Sequence, residues 1–347
     1  MSAADPPKAV PAGELSALVL DPNWADAEPD ARHCLIVDLD ADASLRAGTL
    51  EQIVAWLRAQ PVPVIGLSRT DRAQSGTALA EAPVLAGAMD LLVSGEGELQ
   101  RALRCIDQAP VAAGVLTQVL RIMPSLDPLA GLTLESLAYA TLQGGSEFAA
   151  WLRGRDPGGE PSRPAGASPV LLHRADDRLE IVLNSPETRN ALSVALRDAL
   201  TEAFKLVAMD ATIREVHVSA NGPCFSAGGE LTEFGTRADP AAAHRIRMLR
   251  NPARYLAQHG SRYHFHVHRA CIGAGIELPA FAGRLTATAN TFFQLPELAM
   301  GLIPGAGGCV SLCRRIGPQR TCYLALLGKR ISAERALEWG LIDAIVD

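Results

Sequence analysis

The sequence predicts an α/β protein. Short apolar runs, typical of buried strands, alternate along the chain with longer segments whose apolar residues recur at helical spacing. Of the 347 residues, 48% are hydrophobic and 20% are charged, which is enough apolar material for a sizeable core. Aromatic residues make up only 5%, as suits helices packed closely on a sheet. Together these observations favour layers of helices and strands.

The N-terminal part is predicted to be a smaller α/β region with a helical segment. Residues 1–30 are rich in Pro, Ala and Asp, and we expect a flexible lead-in there. The region itself extends over residues 31–155. Its predicted elements are strands at Cys34–Asp40 and Val62–Leu67, a helix at Leu50–Leu57, and helical segments from residue 98, at Val111–Ile122 and at Leu132–Leu152.

A linker is predicted at residues 156–169, where four Pro and three Gly interrupt all periodicity. A second domain then occupies residues 170–347. Its predicted strands are Val170–His173, Leu179–Leu183, Glu215–Ser219 and Tyr263–Val267, and its predicted helices are Asn190–Val207, Pro240–Leu256, Glu277–Phe281 and Val310–Leu327.

Two glycine loops and two glutamates in this second domain point to carbonyl chemistry. The segments Phe225–Leu231 and Cys271–Leu278 contain glycines that can leave backbone N–H groups unengaged, and such groups stabilise an oxyanion. Glu277 lies in an apolar segment and Glu297 follows Leu-Pro, and carboxylates in such places can transfer protons. The alternatives are close packing for the glycines, a surface position for Glu277 and helix capping for Glu297.

Metal chemistry and redox chemistry have little support. His264, His266 and His268 alternate along one predicted strand, but no nearby carboxylate or thiolate completes a convergent site, so we expect no metal. Cys309 and Cys313 are interpreted as small core residues, because the seven cysteines form no CxxC pair.

Charge and hydropathy exclude several other classes of protein. The net charge of −6 offers no basic surface for nucleic acid or for an anionic membrane. No apolar run reaches the length of a membrane span, and the N-terminus lacks the order of a secretory signal. We therefore expect a cytoplasmic protein with reduced thiols.

Seven short motifs follow one another in residues 170–347: Leu183–Leu192, Phe225–Leu231, Ile272–Leu278, Gln294–Glu297, Gly301–Gly308, Lys329–Ala336 and Gly340–Asp343. In their order and spacing, these residues resemble the crotonase (enoyl-CoA hydratase/isomerase) superfamily. The resemblance implies a ClpP/crotonase-like spiral of ββα units, and acyl-CoA binding.

The resemblance also implies roles for individual residues. Backbone N–H groups of Ala227 and Ala274 would form an oxyanion hole for the thioester oxygen, and Glu277 and Glu297 would hold water and move its proton. The residues that would border coenzyme A are Glu187, Thr188, Arg189, Ala227, Gly228, Gly229, Glu230 and Ala274. No cofactor is expected beyond the coenzyme A of the substrate.

The sequence departs from the family pattern in several places. Ala274 stands where glycine is commoner, Glu230 replaces an aspartate, His268-Arg269 replaces Asn-Gly, and Gly283-Arg284 replaces Cys-Asp. The sequence also ends at Asp347, where a typical member continues into C-terminal helices that cover the acyl pocket.

A weak internal repeat suggests what replaces those helices. The segment Gly87–Val93 resembles Gly340–Val346, and residues 98–152 follow the first copy. We therefore expect residues 31–155 to be either a degenerate crotonase-like half, whose helices serve the catalytic half of the same chain or of a neighbour, or an unrelated α/β region.

The expected function is hydration of a 2-enoyl-CoA, because both glutamates are present and a typical isomerase keeps only the carboxylate at the Glu297 position. An isomerase or CoA-ester hydrolase on the same fold, and a non-catalytic acyl-CoA-binding subunit, are the alternatives. By resemblance the assembly would be a homotrimer or hexamer acting in fatty acid metabolism.

Overall fold

The computed structural model describes residues 8–21, 33–40, 47–69, 82–155, 168–237 and 239–347. They form two compact units, residues 1–121 and 122–347. This division differs from the boundary expected at the linker, because the helices after residue 122 belong to the second unit. Most of the predicted lead-in and of the predicted linker lies outside the described residues.

The first unit is built around a parallel sheet of four strands in the order β1-β2-β3-β4. Its strands β2 and β3 are almost wholly buried, as expected for a parallel sheet between helices. The elements are β1 (Val10–Pro11), α1 (Leu15–Val19), β2 (Leu35–Asp38), α2 (Ala47–Arg58), β3 (Val64–Ser68), α3 (Ala82–Ala86), β4 (Leu91–Ser94), α4 (Glu96–Gln108) and α5 (Pro110–Ile122), the last of which ends at the boundary.

The second unit begins with two helices and continues into the predicted second domain. Its helices are α6 (Pro128–Gln143), α7 (Ser146–Gly154), α8 (Val194–Met209), α9 (Pro240–Leu249), α10 (Ala253–His259), α11 (Ala274–Glu277), α12 (Gly308–Ile316), α13 (Pro318–Leu327) and α14 (Ala333–Glu338). Its strands are β5 (Val170–Ala175), β6 (Arg178–Leu183), β7 (Glu215–Ala220), β8 (Tyr263–Val267), β9 (Ala270–Ile272), β10 (Arg284–Ala287), β11 (Phe292–Gln294), β12 (Ile331–Ser332) and β13 (Ala344–Ile345).

Two sheets organise this unit. The larger has the order β13-β10-β8-β7-β6-β5, in which only the β5–β6 hairpin is antiparallel. The smaller has the order β12-β11-β9, with β9 and β11 parallel. Along β8, Tyr263, Phe265 and Val267 are buried and the two intervening histidines are half-buried. The prediction of an α/β fold is confirmed.

Several predicted helices are divided or shortened, each for a local reason. The segment Pro240–Leu256 breaks into α9 and α10 at Asn251-Pro252, because a residue before proline is driven out of the helical region. The segment Val310–Leu327 breaks at Gly317, whose φ is +83°. The helix expected from Asn190 begins only at Val194, after the Ser193 side chain accepts a hydrogen bond from the N–H of Leu196.

The internal repeat has a structural counterpart. In the first unit the Asp90 carboxylate accepts a hydrogen bond from the N–H of Val64 on the adjacent strand and pairs with Arg121. In the second unit the Asp343 carboxylate likewise accepts from the N–H of Leu285 and pairs with Arg315. In both copies the aspartate precedes a strand that runs parallel to the strand it caps. The two segments are therefore similar in structure as well as in sequence.

None of the helices formed by the described residues combines the length and the apolar character that crossing a membrane requires.

Candidate active site

A cavity of about 460 Å³ lies in the second unit, a volume in the range of small-molecule sites. Its walls come from α6, the segment 229–237, α9, α11 and the segment 305–306. The residues that line it include Tyr139, Gly229, Arg247, Ala274, Glu277 and Glu297. Both predicted catalytic glutamates thus line one cavity.

Glu277 is the last residue of α11 and is only 2% exposed. Its Oε2 atom accepts hydrogen bonds from the backbone N–H groups of Ala306 (2.7 Å) and Gly308 (2.9 Å). Burial raises the pKa of Glu277 to about 7, although those N–H groups act in the opposite direction. A carboxyl group with a pKa near neutrality can both give and take a proton. The alternative of a surface glutamate is wrong.

Glu297 begins a short 3₁₀ turn, Glu297–Met300. Its Oε2 atom is buried and has no hydrogen-bond partner among the described residues, which is rare for a buried carboxylate oxygen. Burial, and then the neighbouring carboxylate of Glu277, raise its pKa well above the usual value. The site therefore contains an acid that is easily protonated and has an unused oxygen.

Gly273 lets the two glutamates face each other. Its φ of +48° is a conformation that L side chains rarely adopt. A Cβ at this position would lie 2.5 Å from Oε1 of Glu297 and 3.8 Å from Oε1 of Glu277. The carboxyl groups of both glutamates therefore approach the same glycine.

The two predicted oxyanion-hole donors, Ala227 and Ala274, differ in whether their N–H groups are already engaged. The N–H of Ala227 donates to the carbonyl of Arg189 (3.0 Å), and Ala227 does not line the cavity. Among the described residues, the N–H groups of Gly229 and Ala274 donate no hydrogen bond, and both residues line the cavity. Gly228, with φ +95°, turns the chain between Ala227 and Gly229. The unengaged amide of this loop is therefore that of Gly229, two residues after the predicted Ala227.

The second unit is similar in sequence to known proteins. The profile described as Enoyl-CoA hydratase/isomerase matches residues 177–347. The chain is 32% identical over 178 residues to the 2,3-dehydroadipyl-CoA hydratase of Escherichia coli, covering 51% of this chain and 69% of that protein. It is also 32% identical over 182 residues to the 1,2-epoxyphenylacetyl-CoA isomerase of the same organism, covering 51% and 70%. The chain belongs to the enoyl-CoA hydratase/isomerase family.

A solved enoyl-CoA hydratase from Thermoplasma volcanium is 29% identical, covers 53% of this chain and 74% of its own, and aligns with a TM-score of 0.48. Family membership makes this protein an acyl-CoA enzyme of the hydratase or isomerase type, with the crotonase-like fold that the sequence motifs predicted.

The sequence interpretation missed a third carboxylate in this family member. Glu135 on α6 is 1% exposed and accepts hydrogen bonds from the N–H groups of Gly307 (2.7 Å) and Cys309 (2.8 Å). Burial, followed by the charge of Glu277, raises its pKa well above the usual value. Glu135 lies on the buried face of α6, beside Leu132 and Ser136. A charged residue on such a face could have indicated a site residue from the sequence.

Helix α6 also supplies part of the cavity wall, through Tyr139 and Gln143. The Tyr139 ring lies so close to Gly305 that a Cβ there would be 2.4 Å from the ring. The Arg247 guanidinium, on α9, lies 4.6 Å above the centre of the same ring. Part of the segment expected to cover the site, residues 128–143, therefore lies beside Glu277 in this chain.

The predicted coenzyme A border is divided by the structure. Glu187, Thr188 and Arg189 form an external turn in which Arg189 has φ +55°, and they do not line the cavity. Gly229, Glu230 and Ala274 do line it, whereas Ala227 and Gly228 do not. The Glu230 carboxylate accepts from the N–H and the hydroxyl of Thr232, which fixes the loop.

The row of histidines on β8 is engaged within the sheet. Rings of His264 and His266 both contact the Thr286 hydroxyl, at 3.1 and 3.2 Å, and burial lowers the pKa of each. In the part of the chain that the structure describes, no group of three or more His, Cys, Asp or Glu side chains could hold a metal ion.

Proposed function

We propose that this protein adds water across the double bond of a 2-enoyl-CoA thioester. The observation that supports this most is that Glu277, Glu297 and the unengaged N–H groups of Gly229 and Ala274 line one cavity. Two carboxyl groups and two amides are what hydration next to a thioester carbonyl needs.

The two amides would form the oxyanion hole. As water adds to C3, the thioester carbonyl becomes an enolate, and its oxygen gains negative charge. The N–H groups of Gly229 and Ala274 stabilise that charge more strongly than the neutral carbonyl, which lowers the barrier. Ala274 is the first residue of α11, so its N–H has no intrahelical partner.

The two glutamates would handle water and its proton. Both Oε1 atoms border the volume next to Gly273, so a water molecule there can donate to one carboxylate and be aligned by the other. The water oxygen bonds to C3 and one of its protons passes to one glutamate carboxylate, while the protonated carboxyl group of the other glutamate gives its proton to C2 as the enolate collapses to the thioester. The raised pKa values of both groups suit transfer near neutral pH.

Hydration is favoured over isomerisation because both carboxylates face the reaction volume. An isomerase needs only one group to move a proton between two carbons. Burying a second carboxylate would then cost folding free energy without serving the reaction. Relatives named as hydratase and as isomerase are equally similar to this chain, so the printed names do not decide between them.

We further propose a cytoplasmic homotrimer or hexamer that requires no cofactor beyond the coenzyme A of its substrate. The family resemblance supports the assembly, and the cysteine pattern supports the compartment. Light scattering on the purified protein tests the assembly. Full activity after exhaustive dialysis against a chelator tests the cofactor proposal.

Turnover of matched acyl-CoA esters tests the function. Purified protein is given 2-enoyl-, 3-enoyl- and saturated acyl-CoA esters, and products are identified by mass spectrometry. We expect a gain of one water by the 2-enoyl ester, and Glu297→Gln to lower kcat by about 10²–10⁴-fold with similar ester affinity. Glu202→Gln, which alters an exposed glutamate on α8, is the control. Migration of the 3-enoyl double bond with no hydration would instead establish the isomerase.

A further inference from the structure

We propose that the acyl pocket selects an acyl group ending in a carboxylate, and that Arg247 binds this carboxylate. The inference rests on the proposed function, whose site it extends. Arg247 lines the same cavity as Glu277 and Glu297, on the wall formed by α6 and α9.

Arg247 makes no ion pair with any described residue. Its guanidinium donates from Nε to the Ser136 hydroxyl (3.1 Å), from Nη1 to Oε1 of Gln143 (2.8 Å) and from Nη2 to the Ser136 carbonyl (3.3 Å). All three acceptors are neutral. A guanidinium has five N–H groups, so one remains on each terminal nitrogen. Two N–H groups of this kind match the two oxygens of a carboxylate.

Burial makes the unpaired charge costly. Desolvation lowers the pKa of Arg247, and the groups that act against this are Tyr139 and Glu135. Glu135 is already engaged with the N–H groups of Gly307 and Cys309. An anionic ligand would therefore supply the charge partner that this wall of the cavity lacks.

The position of Arg247 suits the far end of a short acyl group. Its guanidinium lies over the Tyr139 ring, and the same ring contacts Gly305. Gly305 directly precedes Ala306, whose N–H binds Glu277. The Tyr139 ring therefore lies between the cation and the backbone segment that binds Glu277, which is where the far end of a short acyl group would lie.

A purely structural role for Arg247 makes a different prediction. As a clamp between α6 and α9, Arg247 would affect all substrates equally. A contact with the phosphates of coenzyme A would also affect every ester alike. Only recognition of a terminal carboxylate makes the effect depend on the acyl group, so selectivity is the quantity to measure.

The experiment compares two 2-enoyl-CoA esters of equal chain length, one with a terminal carboxylate and one with a terminal methyl group. We expect the wild-type kcat/KM to favour the carboxylate ester, and Arg247→Met to lower the ratio of the two values by about 30-fold, as the loss of a charged hydrogen bond would. Ser136→Ala, which removes one contact of the clamp and keeps the charge, should leave this ratio within about threefold.

Binding of the matching saturated esters, measured by calorimetry, separates this proposal from the proposed function. Selective binding of the carboxylate ester that Arg247→Met abolishes would support the proposal even if neither enoyl ester were hydrated. Equal affinity for both esters in the wild type, or an equal loss for both in Arg247→Met, would overturn it. That result would leave the proposed hydratase function untouched, because turnover of the methyl ester tests hydration separately.

Discussion

Glu135 and Glu277 bind alternate amides of one backbone segment. Glu277 accepts from Ala306 and Gly308, and Glu135 accepts from Gly307 and Cys309. The segment leads into α12, so the two carboxylates also satisfy N–H groups at the start of that helix. One carboxylate comes from α11 and the other from α6. Helix α6 and the proposed catalytic glutamate of α11 are therefore tied to the same four residues.

Replacing Glu135 should destabilise the second unit. Glu135→Leu leaves two buried N–H groups without acceptors, at about 1–3 kcal/mol each. Glu135→Gln retains one acceptor oxygen and should cost roughly half as much. Urea unfolding measures the free energy, and hydrogen exchange at Gly307 and Cys309 locates the effect. Leu137→Gln, at an exposed position of α6, should change the free energy by at most about 0.5 kcal/mol. Equal stability of all three variants would contradict a role for Glu135.

Glu277 should make stability depend on pH. Its pKa rises from 4.5 to about 7 on folding, so between these values the folded protein retains a proton that the unfolded chain releases. The contribution of Glu277 to the free energy of unfolding is therefore fully present below pH 4.5. It is lost as the pH rises from 4.5 through 7, and the total loss is up to about 3 kcal/mol. Urea midpoints at a series of pH values measure this loss. In Glu277→Gln the dependence should flatten, and parallel curves for both proteins would refute the assignment.

The sequence predicted the parts of the site that depend on local patterns. Glu277 and Glu297 were found because each lies within a short motif. Gly229 was predicted only as a neighbour of coenzyme A, because only the three-dimensional course of the loop decides which amide remains unengaged. Glu135 and Arg247 were missed for another reason. Their helices lie on opposite sides of the predicted linker, and no local periodicity indicates which distant segments will pack together.

Gly273→Ala should impair catalysis more than folding. The added Cβ would lie 2.5 Å from Oε1 of Glu297, so the carboxylate must move. A displacement of about 1 Å at a reacting group can reduce kcat by about 100-fold. The positive φ adds backbone strain of about 1–2 kcal/mol, which urea unfolding measures separately.

Gly97→Ala is the matched control for that substitution. Gly97 lies within α4, and a Cβ there meets nothing within 4 Å. It should leave kcat unchanged and stabilise the first unit by about 0.5–1 kcal/mol. Wild-type kinetics in Gly273→Ala would mean that Glu297 takes no part in the reaction.

Ala274→Pro should remove the oxyanion-hole donor with little other change. Proline is tolerated at the first residue of a helix, where the N–H has no intrahelical partner. Loss of one such donor should lower kcat by about 10²–10³-fold. Ala274→Gly retains the N–H and should keep activity near that of the wild type.

An absorbance measurement tests the same donor without turnover. A 2-enoyl thioester with a conjugated aromatic group absorbs at longer wavelength when its carbonyl is polarised. We expect this red shift on binding to the wild type and to Ala274→Gly, and its loss in Ala274→Pro. Bound ester that shows the full shift in the proline variant would mean that the thioester oxygen does not depend on the N–H of Ala274. The donor would then have to be sought among the other amides of the cavity.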